Sequence, residues 1–418
     1  MERRDFLRRL FDTAVAAADP MRIIPEALPE RPDRVTVIGA GKASARMAEA
    51  VESAWGPCPG LVITRYGHAR PCEGIEVVEA GHPTPDEAGV EVTQRILRLV
   101  RKLGDGDTLL ALISGGGSAL LCAPAPGITL TDKQEVSAAL MAAGAPIGEL
   151  NAVRKQLSAV KGGRLAAAAW PARVLTLMIS DVPGDAAGDI ASGPTVGEPG
   201  SAAGALEILR RRGVEIPERV EALLGGGTTT VPPGDARLLR TENRVVAEPG
   251  RSLAAAAEQA RAEGVEPVDL GDTLEGEARE LAVRQVREAL DRQRRMASGD
   301  RPQVLLSGGE CTVTGRGDGS GGPNAEFALA AALEIGGRGG IHVLACDTDG
   351  VDGAAEIAGA VAGPDTLERA RAAGRDPEDA LRRHDSHGFF AAIGGGVVTG
   401  PTLTNVNDFR AILVEPAA

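Results

Sequence analysis

The chain runs to 418 residues, too long for one compact core, so two domains is the natural expectation. Its 45 Lys and Arg against 58 Asp and Glu give a net charge of −13, and two Trp, one Tyr and six Phe leave few rings for stacking. Both features exclude a nucleic-acid binder, whose footprint is basic and, for single strands, aromatic. Cys58, Cys72, Cys122, Cys311 and Cys346 form no C-x-x-C pair, which fits reduced thiols in the cytoplasm better than a disulfide frame or a zinc site. No apolar run approaches the ~20 residues that span a bilayer.

The first eleven residues carry charge throughout, unlike a signal peptide, and set Phe6, Leu7, Leu10 and Phe11 on one side of an amphipathic helix. Beyond it helices and short aliphatic strands alternate to the end, the pattern of stacked βα units. Val35–Ile38 leads into a helix over 42–54, and Leu61–Thr64 and Ile75–Val78 read as strands. Thr84-Pro85-Asp86-Glu87 opens a helix, with threonine as cap and Glu87 closing a capping box, so Gly81-His82-Pro83 is the loop before it. Thr108–Ile113 is the next strand, and Thr131-Asp132-Lys133-Gln134 starts another helix in the same way. Residues 150–160 form a helix stopped by Gly162-Gly163, and the strand Val174–Ile179 follows. Gly225–Gly234 has neither periodicity nor core and is the expected boundary and hinge, giving domains 1–230 and 236–418. The second holds strands near 243–247, 303–306 and 341–345, and helices near 251–263, 275–296, 325–335 and 364–373.

Several strands end in glycine beside a reactive polar residue. The carboxyl end of a buried parallel strand is where open α/β sheets bind ligands, and glycine there lets backbone N–H groups approach an anion. Gly39-Ala40-Gly41-Lys42-Ala43-Ser44 has the first two glycines of a dinucleotide fingerprint, but Ser44 replaces the third and Leu61–Thr64 ends without Asp or Glu. A lysine inside such a turn suits phosphate or carboxylate better than NAD. Ser114-Gly115-Gly116-Gly117-Ser118 can form a nest of N–H donors between two hydroxyls, with neither nucleophile-elbow nor P-loop spacing.

Leu150, Val153, Leu157 and Val160 form an apolar stripe; Asn151, Lys155 and Ser158 project from another face, with Arg154 and Lys161 at its border. That face either meets solvent or supplies the local cations an acidic anion-binding protein needs. Asp181-Val182-Pro183-Gly184-Asp185 and Asp347-Thr348-Asp349-Gly350-Val351-Asp352-Gly353 put carboxylates at strand ends, where Mg²⁺ can use one or two and leave the rest to phosphates and water. Any one of these aspartates is by default a turn former. Together, a glycine nest, lysines and aspartates are the parts of phosphoryl transfer.

These segments, with Gly81–Gly89, Asn151–Leu165, Ser192-Gly193-Pro194-Thr195, Ser307-Gly308-Gly309-Glu310 and Thr404-Asn405-Val406-Asn407-Asp408, resemble the glycerate 2-kinase family that carries the MOFRL domain. The resemblance covers nearly the whole chain. It implies two α/β domains, Rossmann-like at the N-terminus and a smaller MOFRL-type one after it, with an interdomain cleft. It also implies ATP and Mg²⁺, with D-glycerate phosphorylated on its 2-hydroxyl.

Lys42, Asp181 and Asp185 fall on motifs the resemblance makes catalytic. Gly41, Ser44, His82, Ser114, Gly115, Gly116, Gly117, Ser118, Asn151, Arg154, Lys155, Lys161, Glu310 and Asn324 fall on segments expected to hold substrate or nucleotide, and Asp347 and Asp349 on a metal. One departure stands out. The family often reads Gly-Gly-Arg-Asn-Gln-Glu where this chain has Gly321-Gly322-Pro323-Asn324-Ala325-Glu326. The arginine assigned to the transferring phosphate is thus Pro323, leaving Arg154, Arg164 or Arg316 to cover it. Small-molecule partners, no nucleic acid or membrane, and a cytoplasmic protein that a homodimer would suit complete the expectation. The older family name asserts an alternative, an NAD(P)H-dependent hydroxypyruvate reductase, whose only local support is Gly39-x-Gly41. A phosphosugar-binding module without turnover is a third reading.

Overall fold

Aliphatic runs of six or seven residues that alternate with helices can bury both faces only in a parallel sheet covered on each side. A computed structural model, which describes residues 3–315, 317–353 and 355–417, shows six strands doing so. They are β1 (Val35–Ala40), β2 (Gly60–Arg65), β3 (Ile75–Ala80), β4 (Thr108–Ile113), β5 (Arg173–Ile179) and β6 (Thr241–Ala247), in the order β3-β2-β1-β4-β5-β6. β1 to β5 pair in parallel. This is the Rossmann order, which changes direction between β1 and β4, so the loops leaving those two strands flank the crevice where such sheets bind ligands.

The helices that matter below are α1 (Arg3–Ala17), α2 (Ser44–Trp55), α3 (Glu87–Val100), α4 (Leu130–Ala142), α5 (Ile147–Gln156), α6 (Pro249–Ala262), α7 (Pro323–Ile335) and α8 (Ser386–Ile393). A second sheet is built from β7 (Glu266–Asp269), β8 (Gln303–Gly309), β9 (Ile341–Asp347), β10 (Gly359–Ala362), β11 (Gly396–Val397) and β12 (Asp408–Val414), in the order β11-β10-β9-β12-β8-β7. Its pairs are antiparallel except β7 with β8.

The chain divides into a parallel-sheet unit, Pro20–Ser180 with Asp185–Val246, and a mixed-sheet unit of Met1–Asp19, Asp181–Gly184 and Ala247–Ala418. This differs from the expected 1–230 and 236–418. Phe6, Leu7, Leu10, Phe11 and Ala14 of α1 are fully buried in one cluster with Leu253, Leu344 and Phe409, so the first helix belongs to the mixed-sheet core. At the other end β6 extends the parallel sheet beside β5, which moves the crossing from the glycine-rich stretch to 246/247. Gly225–Gly234 is also no loose hinge. Thr229 N–H and Oγ1 both donate to Gln156 Oε1 at 3.1 Å, and Val231 is buried with its N–H on Gly162 O at 2.9 Å.

Three helix ends depart from expectation for local reasons. Asp86, not Thr84, caps α3: its Oδ1 accepts Gly89 N–H at 2.9 Å while Oδ2 accepts Gly81 N–H at 2.9 Å. The capping box of α4 is Thr129 with Asp132, two residues earlier than Thr131. α5 stops at Gln156 because Leu157 O is taken by Ala125 N–H at 3.1 Å, so Ser158 and Lys161 leave the helical face they were expected to share with Lys155.

Because α1 is core and not an appendage, Phe11→Ala is expected to lower unfolding stability by about 3–5 kcal/mol in urea denaturation. The exposed Leu239→Ala is the control and should stay within ~0.5 kcal/mol.

Candidate active site

The turns after β1 and β4 are stitched together. Lys42 N–H donates to Gly115 O at 2.8 Å, and Ala43 N–H donates to Ser114 Oγ at 3.0 Å. Gly41 lies at φ +141°, and any side chain there would run into Ser114. Gly116 takes the left-handed φ of +77° and starts a single helical turn, Gly117–Leu120. A Cβ on it would stand 2.9 Å from His82 Nε2 and 3.1 Å from Lys42 Cγ. Lys42 and His82, from different loops, therefore flank the same glycine. Gly115 and Gly116 N–H have no hydrogen-bond partner among the described residues. A cation, an imidazole and two unpaired amides at a β1/β4 crossing can bind an oxyanion.

The hydroxyls divide differently from expectation. Ser44 is fully buried, its Oγ 2.8 Å from Gly41 O and 2.6 Å from Ile63 O, so it closes the turn and does not face a ligand. Ser114 is likewise buried and spent on Ala43. Ser118 is half-buried and meets Ser192 Oγ at 2.8 Å. Ser192 follows Ala191 in a stretch where both, and Gly193, have left-handed φ of 62°, 51° and 59°. Two strained non-glycine residues in a row are the kind of backbone that collects at functional sites. Asp185, also left-handed at φ +53°, has a buried Oδ1 with no partner among the described residues.

The expected cationic face scatters. Lys155 is paired with Glu198 at 2.6 Å and Asp189 at 3.4 Å. Lys161, 2% exposed, points its Nζ at three carbonyls: Ser118 O at 2.8 Å, Ala191 O at 3.4 Å and Leu121 O at 3.5 Å. It ties the glycine turn to the Ala191 loop from inside the protein and offers nothing to solvent. Burial, then Lys133, with Arg154 and Lys155 adding, pulls its pKa down to about 7. Arg164 Nε donates to Thr229 O, and burial lowers its pKa to about 10. Arg154 and Asn151 remain half-buried on α5. Arg316 lies outside the described residues.

One residue missed from sequence is Lys133. On α4 it shares the three- and four-residue spacing of Val136 and Leu140, the buried residues of that helix, and it is 7% exposed. A lysine on an apolar stripe was the available signal.

The acidic motifs of the mixed-sheet unit form a second group. Asp181 Oδ2 accepts Asn405 Nδ2 at 3.0 Å, and its carbonyl accepts Asn407 Nδ2 at 3.0 Å. Asp347 Oδ1 accepts Asp349 N–H at 2.9 Å and Asp349 Oδ1 accepts Val351 N–H at 2.8 Å, so one oxygen of each shapes the loop. Among the described residues no group of three or more His, Cys, Asp or Glu is arranged to hold a metal ion. Asn324 is 1% exposed and bonds Asp408 Oδ1 at 2.6 Å, while its backbone N–H and that of Ala325 cap onto Asp352 at 2.9 and 2.8 Å. It is therefore framework, placed directly after Pro323 at the first turn of α7. His387 of α8 holds the same Asp352 at 3.0 Å. Arg410, fully buried, pairs with Asp408 at 2.5 Å, and burial raises the Asp408 pKa against that attraction. Glu310 is exposed at the end of β8.

A family model described as a domain of unknown function (DUF4147) matches residues 6–225, and the MOFRL family model matches residues 303–408. Over 94% of each chain the sequence is 37% identical to the D-glycerate 2-kinase of Thermotoga maritima. It is 36% identical to the glycerate 2-kinase of Pyrococcus horikoshii over 99% of this chain and 98% of that one. An Agrobacterium vitis protein, provisionally named a hydroxypyruvate reductase, is 51% identical over 98% of this chain and 94% of its own. The crystal structure of glycerate kinase from Thermotoga maritima superposes with a TM-score of 0.86 at 35% identity, covering 98% of this chain and 99% of that one.

Lys161 makes a pH-dependent mark. A buried lysine with a depressed pKa costs the fold most below about 7, where it must be charged, and that cost is relieved as pH rises toward the ordinary value of 10.5. Relative to Lys161→Met, the wild-type protein should therefore gain stability between pH 7.5 and 9.5, by up to ~1.4 kcal/mol per pH unit in urea denaturation. A pH-independent difference would mean that the ammonium titrates like an exposed lysine.

Proposed function

The chain belongs to the glycerate 2-kinase family with a MOFRL domain, and from that premise we propose how its residues act on ATP and D-glycerate. The reaction is phosphoryl transfer to the 2-hydroxyl. The observation that carries the site assignment is the meeting of Lys42 and His82 at Gly116, beside the unpaired N–H groups of Gly115 and Gly116. These donors hold the charged oxygens of the substrates and stabilise charge on the transferring group. Positioning and electrostatics supply most of the acceleration in such a transfer.

Asp181, held at one carboxylate oxygen by Asn405, orients the acceptor hydroxyl. Asp185 offers a buried Oδ1 that has no partner among the described residues. Mg²⁺, which neutralises phosphate charge when bound, fits Asp347 and Asp349 as hard carboxylate donors. Held by these two, it would take its remaining positions from phosphates and water. The reductase reading rests on the name of the Agrobacterium relative. Against it, Ser44 fills the third-glycine position with a buried hydroxyl, and β2 ends in Thr64 and Arg65 where a ribose-binding acid would stand.

The experiment is to incubate the pure protein with D-glycerate and ATP, and separately with hydroxypyruvate and NAD(P)H. ADP release in the first without cofactor oxidation in the second is expected; the reverse pattern discards the kinase. Lys42→Met should cost more than ~100-fold in kcat, about 2.7 kcal/mol, with an unchanged melting temperature. Near-normal kcat would reduce Lys42 to a turn residue. Asp347→Asn and Asp349→Asn should each raise the Mg²⁺ concentration needed for half-maximal rate, and an unchanged Mg²⁺ dependence in both would leave the metal on phosphates and water alone.

A further inference from the structure

Burying a charge without a counter-ion is strongly unfavourable, so buried cations normally sit beside a carboxylate. Lys155 obeys this rule through Glu198 and Asp189. Its neighbours do not. Lys133 Nζ has Cys122 Sγ, at 3.5 Å, as its only side-chain partner among the described residues. Among the described residues Arg154 reaches only Met141 Sδ, at 3.9 Å. Lys161 meets carbonyl oxygens alone among the described residues. No Asp or Glu among the described residues pairs with any of the three, in a chain that carries 58 acidic residues.

Two of these cations, Lys161 and Lys133, converge on one piece of backbone. Lys161 bonds Ser118 O and Leu121 O, and Lys133 touches Cys122, the next residue. That segment continues directly from the Gly115–Gly117 turn. Burial lowers the Lys133 pKa, Cys122 opposes it, and Arg154 adds a lesser lowering; burial also lowers the pKa of Arg154. Arg154 itself is half-buried.

We propose that Lys133 and Arg154 form a second anion-binding position, next to the glycine turn, that takes a carboxylate or phosphate group of a substrate. The assignment rests on the kinase reading for the identity of those substrates. The two sources are the carboxylate of glycerate and the phosphates of the nucleotide. In either case the missing counter-ion is the ligand itself, and Lys161 keeps the backbone between the two anion positions in place.

Calorimetric titration of the wild-type protein, Lys133→Met, Lys133→Arg and Arg154→Gln with D-glycerate and with ADP tests this, beside thermal melts of each ligand-free protein. Lys133→Met should hold or raise the ligand-free melting temperature, because it removes an uncompensated buried charge. It should weaken one ligand by about 10- to 100-fold while the other stays within about twofold, and Lys133→Arg should recover part of the loss. A loss confined to D-glycerate identifies the carboxylate, and one confined to ADP identifies a phosphate. Wild-type affinity for both ligands in Lys133→Met and Arg154→Gln overturns the proposal. So does a lowered melting temperature with both ligands weakened alike, the mark of a structural lysine. Binding is read without turnover, so a wild-type protein that binds D-glycerate or ADP at this position but makes no product would fail the kinase reading and not this site.

Discussion

Everything at the candidate site depends on two hydrogen bonds across the β1/β4 crossing. Lys42 N–H reaches Gly115 O and Ala43 N–H reaches Ser114 Oγ, so two glycine turns from strands that are neighbours in the sheet are locked as one surface. The Rossmann strand order puts those turns side by side, and Gly41 and Gly116 let the backbones pass close enough to bond. Lys42 and the glycine amides then face the same place because their main chains are bonded to each other, and the His82 ring packs against Gly116 beside them. Ser44 and Ser114 are spent in building that surface.

Electrostatics completes the arrangement. A chain of net charge −13 can bind anions only where its own carboxylates are kept away. The parallel-sheet unit does this unevenly: Lys155 is neutralised by Glu198, while Lys133, Arg154 and Lys161 pair with no Asp or Glu among the described residues. The mixed-sheet unit uses its charges oppositely. Asp352 caps α7 and holds His387, Asn324 bridges to Asp408, and Asp408 pairs with Arg410 under the strand ends. Such a buried network is costly to break, and it fixes the frame from which the Asp347 loop projects.

Much of this was legible in the sequence. Strand positions, the amphipathic α1, the glycine turns and the acidic loops follow from local period and turn chemistry. What escaped was set by partners distant in the chain. α5 ends early because Ala125 takes the carbonyl of Leu157, which sends Ser158 and Lys161 to partners away from the Lys155 face. The domain crossing moved because β6 completes one sheet and α1 another core. Ser44 read as a ligand contact until its hydroxyl was found between Gly41 O and Ile63 O, the latter from the neighbouring strand. Asn324 read as a contact because its motif borders Pro323, yet Asp352 and Asp408 enclose it. Lys133 was overlooked because a capping-box reading two residues too late drew attention to the helix start and away from its buried face.

The central claim is that the locked turns after β1 and β4 receive the charged oxygens of a phosphoryl-transfer reaction. The most direct measurement is a crystal structure of the protein with D-glycerate and a non-hydrolysable ATP analogue. The account predicts an anionic group of one of them within hydrogen-bond distance of Lys42 Nζ and the Gly115 or Gly116 N–H. Both ligands bound elsewhere, with that turn facing only water, would contradict it.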